Sequence, residues 1–286
     1  MKLIKYFIQF LTILTLFLIF KILGLKLATL LSSKIMYLIG PLFRSQSLIN
    51  SNILKALPNS NQEKVKNISK RMWGNYGKIL AEYVFIKDFR ESKLNKKIKV
   101  KGQEILDEIK KNNEPVIFIS GHFSNFELMA LHIEKSGINL AVVYRPLNNK
   151  FLNFIMEKIR KKYICKNQIK KGISGTKKLL SFFKSKTSIA LMIDQRVSQG
   201  ITSKFFNHDC FTTTIPAQFI KKFKCKVVPI HIERLQNSDF QLTIHEPLEY
   251  PINESLETIT LELNMFLEKL ILKNPEQWIW SHNRWK

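Results

Sequence analysis

The chain has 286 residues, enough for one large domain or two small ones, and 45% of them are hydrophobic, enough for a sizeable core. Its 46 Lys and Arg against 22 Asp and Glu give a formal net charge of +24, which predicts anionic partners: nucleic acid, anionic lipid or an acidic protein. The three cysteines, Cys165, Cys210 and Cys225, show no metal-ligand spacing, and their odd number argues against a disulfide framework and for a reducing compartment.

The N-terminus sorts those partners. Tyr6 to Phe20 carries no charge and is dense in Phe, Leu and Ile, yet it is shorter than the roughly 18–20 apolar residues of a spanning helix. Extending it to Leu31 crosses Lys21 and Lys26, whose long stems can snorkel to an interface. No acidic residue precedes Glu63, whereas Lys2, Lys5, Lys21, Lys26, Lys34 and Arg44 do. A basic, apolar segment of this kind fits a membrane anchor drawn to anionic headgroups. A secretory signal peptide is the rival, but neither Leu27-Ala28-Thr29 nor Leu31-Ser32-Ser33 makes a clean cleavage site. The expected organisation is therefore an anchor helix over 1–31 and a catalytic or binding domain over 32–286, with spanning and surface-lying anchors both open.

Helical spacing runs from Asn61 to Phe85 through Val65, Ile68, Met72, Trp73, Tyr76, Ile79, Leu80 and Tyr83, after a start signal at Pro58-Asn59-Ser60-Asn61. A short strand is expected at Lys97–Lys101 and a helix at Gln103–Lys111. Val116-Ile117-Phe118-Ile119, between Pro115 and Ser120-Gly121, reads as a core strand ending in a turn, with an amphipathic helix opening at Ser124. Further strands are expected at Leu140–Tyr144, Ile189–Ile193, Val227–Ile232 and Phe240–Ile244, and helices at Asn149–Lys162, Thr176–Phe183, Ile215–Phe223 and Glu254–Lys273. Strands interleaved with helices predict an α/β fold with a mixed, largely parallel sheet flanked by helices.

Within Gly121-His122-Phe123-Ser124-Asn125-Phe126-Glu127, His122 and Glu127 form a candidate catalytic unit. Five residues on one helix turn through about 500°, so the two side chains would diverge by about 140°. They meet only if His122 precedes the helix and Glu127 lies in its first turn. The carboxylate would then accept a hydrogen bond from one ring nitrogen, fixing the tautomer and freeing the other nitrogen to take a substrate proton. The alternative is a capping box, Ser124-x-x-Glu127, with His122 an ordinary turn residue.

Two further sites fall where strands end: Tyr144-Arg145-Pro146 and Asp194-Gln195-Arg196. In an open α/β sheet the carboxyl ends of neighbouring strands share one crevice, so His122, Arg145 and Asp194 are candidates to converge. Arg145 would hold a phosphate or carboxylate, or else be a solvated arginine. Asp194 would receive a cation or orient Arg145, or else be a turn residue. Gly172-Ile173-Ser174-Gly175-Thr176-Lys177 lacks Walker spacing and reads as a helix cap. His208-Asp209-Cys210 looks metal-like for three residues only and has no second cluster, so a loop is the reading there. The Trp278-to-Trp285 run, with three tryptophans, suits an apolar groove, a lipid–water boundary or simple core packing.

With these blocks in place, the chain resembles the late acyltransferases of lipid A biosynthesis, the lauroyl and myristoyl transferases. These belong to the wider lysophospholipid acyltransferase group marked by His-x4-Asp/Glu. His122 and Glu127 match that signature in its glutamate form, Tyr144-Arg145-Pro146 a second block and Asp194-Gln195 a third. Asn52, Pro58 and Glu82-Tyr83 within the stretch from Leu38 to Tyr83, and the Trp/Asn/Arg-rich C-terminus, extend the similarity over nearly the whole chain. The resemblance implies a glycerolphosphate-acyltransferase-like fold. It also implies transfer of a fatty acyl group from acyl carrier protein, with coenzyme A as the alternative donor, to a hydroxyl on an acyl chain of a (Kdo)2-lipid IVA-type precursor. His122 would be the general base, with Glu127 orienting it and stabilising the imidazolium. Arg145, Asp194 and Asn125 would bind substrate, and no metal or other cofactor would be needed. The enzyme would sit at the inner membrane with its catalytic domain on the cytoplasmic face. An enzyme acting on glycerophospholipid, lysophospholipid or mannolipid with the same residues is the nearest competitor. A basic nucleic-acid-binding or peripheral membrane protein is the non-enzymatic one.

Overall fold

The computed structural model describes residues 2–286. The apolar N-terminus forms α1 (Lys2–Ile39), long and apolar enough by length and composition to cross a membrane. It is interrupted at Gly24, where φ is 73° and ψ 167°, values that glycine tolerates and other residues resist. Beyond this break Leu25, Ala28, Thr29, Ser32 and Ser33 are buried. The boundary expected at residue 31 therefore falls inside a packed helix, and the change of character comes at Gly24.

Next come α2 (Gln46–Ala56) and α3 (Gln62–Glu82), whose N-caps Ser45 and Asn61 accept from the backbone N–H of Leu48 and Lys64. The second half of α1 lies so close to α3 that Ser32 Oγ donates to the Gly77 carbonyl at 2.6 Å, and a Cβ on Gly77 would collide with the Ser32 backbone. A short helix, α4 (Ile86–Glu91), leads into the alternating part of the chain.

That part runs β1 (Ile98–Lys101), α5 (Gln103–Asn112), β2 (Ile117–Ser120), α6 (Glu127–Lys135), β3 (Leu140–Tyr144), α7 (Lys150–Ile159), β4 (Asn167–Lys170), α8 (Ile173–Lys184) and β5 (Ser188–Met192). It continues with β6 (Ile201–Phe205), β7 (His208–Thr212), α9 (Ile215–Phe223), β8 (Val227–Arg234), β9 (Phe240–Ile244) and α10 (Leu256–Lys273). Seven strands form one sheet in the order β1-β9-β8-β2-β5-β3-β4. All neighbours are parallel except β8 and β9, as expected of an α/β protein with a largely parallel sheet. β2 sits between β8 and β5 and is buried along its whole length, which explains why Ile117-Phe118-Ile119 is continuously apolar rather than alternating.

Strands β6 and β7 pair antiparallel as a separate hairpin against α10. Its two turn residues, Phe206 and Asn207, both have positive φ, 50° and 60°. Phenylalanine is a poor sequence signal for such a turn, so the hairpin has no counterpart among the sequence-based expectations. It places His208 and Asp209 on the surface, with Asp209 paired to Lys204, and Cys210 in the core.

Candidate active site

The register of the central strands builds the site. β2 and β5 pair with Ser120 opposite Met192, so two residues beyond each strand end His122 faces Asp194. His122 Nδ1 lies 2.8 Å from Asp194 Oδ1, and the His122 backbone N–H donates to Asp194 Oδ2, also at 2.8 Å. Trp278 Nε1–H donates to the same Oδ2 at 2.8 Å. Asp194 is fully buried, and Gly121 leaves it room: a Cβ there would press on the Phe123 ring and on Asp194 Oδ2.

Electrostatics follow from this geometry. Burial by itself would raise the Asp194 pKa, but the imidazole, the backbone N–H and the indole N–H together bring it from 3.8 to about 2. Burial likewise opposes the charged imidazole of His122, yet the attraction and hydrogen bond of Asp194 win and raise its pKa above 6.5, with a smaller contribution from Glu127. With Nδ1 engaged, Nε2 is the nitrogen left for chemistry, and the ring edge lines a cavity.

Glu127 stands in the first turn of α6, but the hydrogen bond expected from His122 to Glu127 is taken by Asp194. Glu127 Oε1 instead accepts from the Tyr83 hydroxyl and from Arg160, whose Nε and Nη2 lie at 2.9 and 2.6 Å. Arg160 also donates to the Tyr83 oxygen at 3.2 Å. The reason is where α6 begins. It starts at Glu127 rather than Ser124, whose φ of 42° and buried, unpartnered hydroxyl rule out the capping box as well. Four residues, Phe123 to Phe126, separate His122 from the helix, and the carboxylate meets the C-terminus of α3 and the turn after α7.

A second buried network braces the first. Glu82, next to Tyr83 in sequence, is fully buried and takes a bidentate pair from Arg234 and a hydrogen bond from Asn125 Nδ2 at 2.9 Å. Asn125 is therefore a wall residue: it is fully buried and does not line the cavity, which corrects the expectation that it meets substrate. The C-terminal tryptophan run belongs to the core and the site, since Trp278 and Trp280 are buried and Trp278 holds Asp194. Asn52 on α2 fixes this run by donating to the Trp280 and His282 carbonyls, both at 2.8 Å. His282 lines the cavity and accepts the Arg196 backbone N–H at 3.1 Å, and burial pushes its pKa down to about 4.

The cavity measures about 540 Å³, a volume typical of ligand sites. Its inner wall is apolar, formed by Phe118, Met129, Ile133, Val142, Leu179 and Ile230. Its rim is cationic, with Arg44, Arg145, Arg160, Lys170, Lys171 and Arg196 against Glu127 as the one carboxylate among the lining residues. Arg145 is exposed at that rim and Asp194 lies behind His122, bonded to the imidazole rather than to Arg145. Gly172, at the N-terminus of α8, also reaches the rim. Among the described residues no group of three His, Cys, Asp or Glu side chains has metal-binding geometry.

In the sequence Glu82 and Tyr83 stand out only as part of the N-terminal block of the resemblance, and Arg160 and Arg234 carry no functional signal. Arg160 sits in the cationic run Lys158-Ile159-Arg160-Lys161-Lys162, where nothing in sequence separates it from its exposed neighbours. It opens the π-helical turn Arg160–Ile164, and its guanidinium reaches Glu127 and Tyr83.

The family model described as bacterial lipid A biosynthesis acyltransferase matches residues 1–286. Among curated proteins, the lipid A biosynthesis palmitoleoyltransferase of Escherichia coli (strain K12) is 22% identical over 248 residues, covering 85% of this chain and 79% of that protein. The lipid A biosynthesis myristoyltransferase of the same strain is 19% identical over 245 residues, 85% of this chain and 75% of that one. A lipid A biosynthesis acyltransferase of Haemophilus influenzae (strain ATCC 51907 / DSM 11121 / KW20 / Rd) is 25% identical over 203 residues, 68% of this chain and 63% of that one.

Proposed function

The chain belongs to the bacterial lipid A biosynthesis acyltransferase family, and from that premise we propose that it moves a fatty acyl group from acyl carrier protein onto a hydroxyl of an acyl chain on a (Kdo)2-lipid IVA-type precursor. The observation that carries this reading is the His122–Asp194 pair at 2.8 Å, set at the mouth of a cavity with apolar inner walls and a cationic rim. A fatty chain needs the walls, and a phosphorylated, carboxylated acceptor and an acidic carrier protein need the rim.

In this mechanism His122 Nε2 removes the proton from the acceptor hydroxyl. The oxygen attacks the thioester carbonyl, the tetrahedral oxyanion collapses, and the thiolate leaves, taking up the proton held by the imidazolium. Asp194 holds the tautomer and stabilises the imidazolium, a contribution to general-base catalysis worth about 10²–10⁴-fold in rate. Glu127 acts one step removed from the imidazole: with Tyr83 it fixes Arg160 at the cavity wall, where the guanidinium faces developing negative charge. Arg145 at the rim is the candidate anchor for an acceptor phosphate or carboxylate. The N-terminal helix keeps the enzyme at the membrane that carries its acceptor, which for this chemistry is the inner membrane, with the cavity on the cytoplasmic side.

The test is mass spectrometry of a tetra-acylated, Kdo-bearing disaccharide precursor before and after incubation with the protein and acyl carrier protein thioesters. Gain of one acyl mass, abolished by His122→Ala, is expected. Gain of that mass on lysophospholipid and not on the disaccharide would replace the acceptor while leaving the chemistry intact.

A further inference from the structure

The contacts of α1 decide how it meets a bilayer. Before Gly24 the helix is about 33 Å long at roughly 1.5 Å per residue, enough to cross a hydrocarbon core of about 30 Å. Yet its two ends touch the same globular body. Near the start, Asn149 Nδ2 donates to the Tyr6 carbonyl at 2.8 Å, and the Phe7 and Phe10 rings lie 5.6 and 5.7 Å from the Phe151 ring of α7. Near the end, Lys21 Nζ pairs with Asp88 of α4 at 3.0 Å. Tyr6, Phe10, Ile13, Leu16 and Leu23 form a half-buried stripe at helical spacing, with Phe20 on it fully buried. The opposite stripe, Leu3, Phe7, Leu11, Leu14, Leu18 and Ile22, is open along its whole length, from 37% exposed at Leu14 to 86% at Ile22.

A spanning helix places its ends in opposite interfaces. Here that would carry α7, with Lys150, Glu157 and Lys158, and α4, with Lys87, Asp88 and Arg90, to opposite sides of the membrane and the body between them into hydrocarbon. Charged groups held at the bilayer centre are strongly disfavoured unless they are paired or reach water. A second observation points the same way. α7 carries Phe151, Leu152, Phe154, Ile155, Met156 and Ile159 and fully buries none of them, and Phe154 is 60% exposed.

We propose that α1 does not cross the bilayer but lies in one leaflet, its open apolar stripe and the apolar face of α7 forming a single surface that inserts into the acyl layer of an anionic membrane. The lysines at positions 2, 5, 26 and 34 of α1 are exposed and reach headgroups from such a depth, and no carboxylate on α1 opposes them. Arg145 and Arg160, which flank α7 in the chain, are at the cavity rim, so the inserted surface borders the catalytic opening. An acceptor lipid would then enter sideways from the leaflet, keeping its acyl chains in hydrocarbon throughout. The proposal rests on the membrane attachment inferred above and is independent of which lipid is acylated.

The experiment uses the full chain with Cys225→Ser, which leaves only the two buried cysteines as background, and adds either Lys2→Cys or Lys111→Cys. Sealed vesicles of inside-out and right-side-out orientation are treated with a membrane-impermeant maleimide, and acyl transfer is measured in parallel. A one-leaflet helix labels at both positions in the same vesicle preparation, at least tenfold over the other. Labelling of position 2 in one preparation and position 111 in the other, with acyl transfer intact, overturns the orientation and spares the enzymatic reading. Depth is read separately from an environment-sensitive fluorophore attached through Leu3→Cys, Leu11→Cys or Ile22→Cys, quenched by shallow and deep spin-labelled lipids in anionic vesicles. Equal quenching ratios within about twofold are expected. A sharp maximum of deep quenching at position 11 overturns the proposal, as does failure of the protein to float with the vesicles.

Discussion

Asp194→Asn is the sharpest probe of the site, because the side chain is fully buried and every hydrogen bond it makes is an acceptance: from His122 Nδ1, from the His122 backbone N–H and from Trp278 Nε1. Asparagine keeps the volume but offers one acceptor oxygen, so its NH2 must face at least one of these donors. The native pKa of about 2 against 3.8 corresponds to roughly 2 kcal/mol of stability at neutral pH, from the attraction that also raises His122 and so counted once. Because the Asp194 pKa is depressed, that stability is present above pH 3.8 and is lost as pH falls toward 2. The His122 side of the same pair is raised, so its share is complete below pH 6.5 and fades as pH rises through the higher native value. The variant should therefore melt lower by about 2–3 kcal/mol at pH 7, and the loss should shrink in strong acid. Turnover should fall further, by about 10³–10⁴-fold, because the imidazole loses both its fixed tautomer and the charge that stabilises its protonated form. The rising limb of kcat/KM against pH, expected above 6.5 in the wild type because Asp194 raises the His122 pKa, should move to lower pH in the variant as burial takes over the imidazole. Single-turnover acyl transfer read by mass spectrometry from pH 5 to 9, with circular dichroism melts alongside, measures all three. Near-normal turnover in Asp194→Asn, with turnover abolished in Glu127→Gln, would refute the argument and return the orienting role to Glu127.

Other changes follow from the same contacts. Glu127→Gln leaves the Arg160 guanidinium without its carboxylate, and turnover should fall by about 10²-fold while the pH limb stays closer to wild type than in Asp194→Asn, which a pH–rate profile of the two variants separates. Arg234→Ala strands the buried Glu82 charge, and urea titration should show a loss of about 3–5 kcal/mol. Gly77→Ala drives a methyl into the Ser32 backbone and should cost about 1–3 kcal/mol in the same titration, without shifting the pH–rate profile of the folded protein.

Much of the fold could be read from the chain. Leu140–Tyr144, Ile215–Phe223 and Phe240–Ile244 form as the residue pattern predicts, because apolar runs and helical spacing are local properties. The β6–β7 hairpin escaped because its turn uses Phe206 at positive φ, and β4 because Asn167-Gln168-Ile169-Lys170 has only one apolar residue. The site divided along the same line. His122, Glu127, Arg145 and Asp194 stand out as chemistry-bearing residues at strand ends or in the first turn after one, and the sequence alone supplied that set. Which carboxylate serves the imidazole could not be read from it: the glutamate is five residues away along the chain and the aspartate 72, yet parallel pairing of β2 with β5 puts the aspartate in contact. Hydrogen bonding depends on position in space, and position across a parallel sheet is set by crossover connections that leave no local trace. The N-terminal segment gives the same lesson. Its apolar composition, written in the sequence, makes it long and apolar enough to cross a membrane. Which face it leaves open, and where it breaks, depend on its contacts with Phe151 and Asp88 and on the backbone at Gly24, which only the packed structure decides.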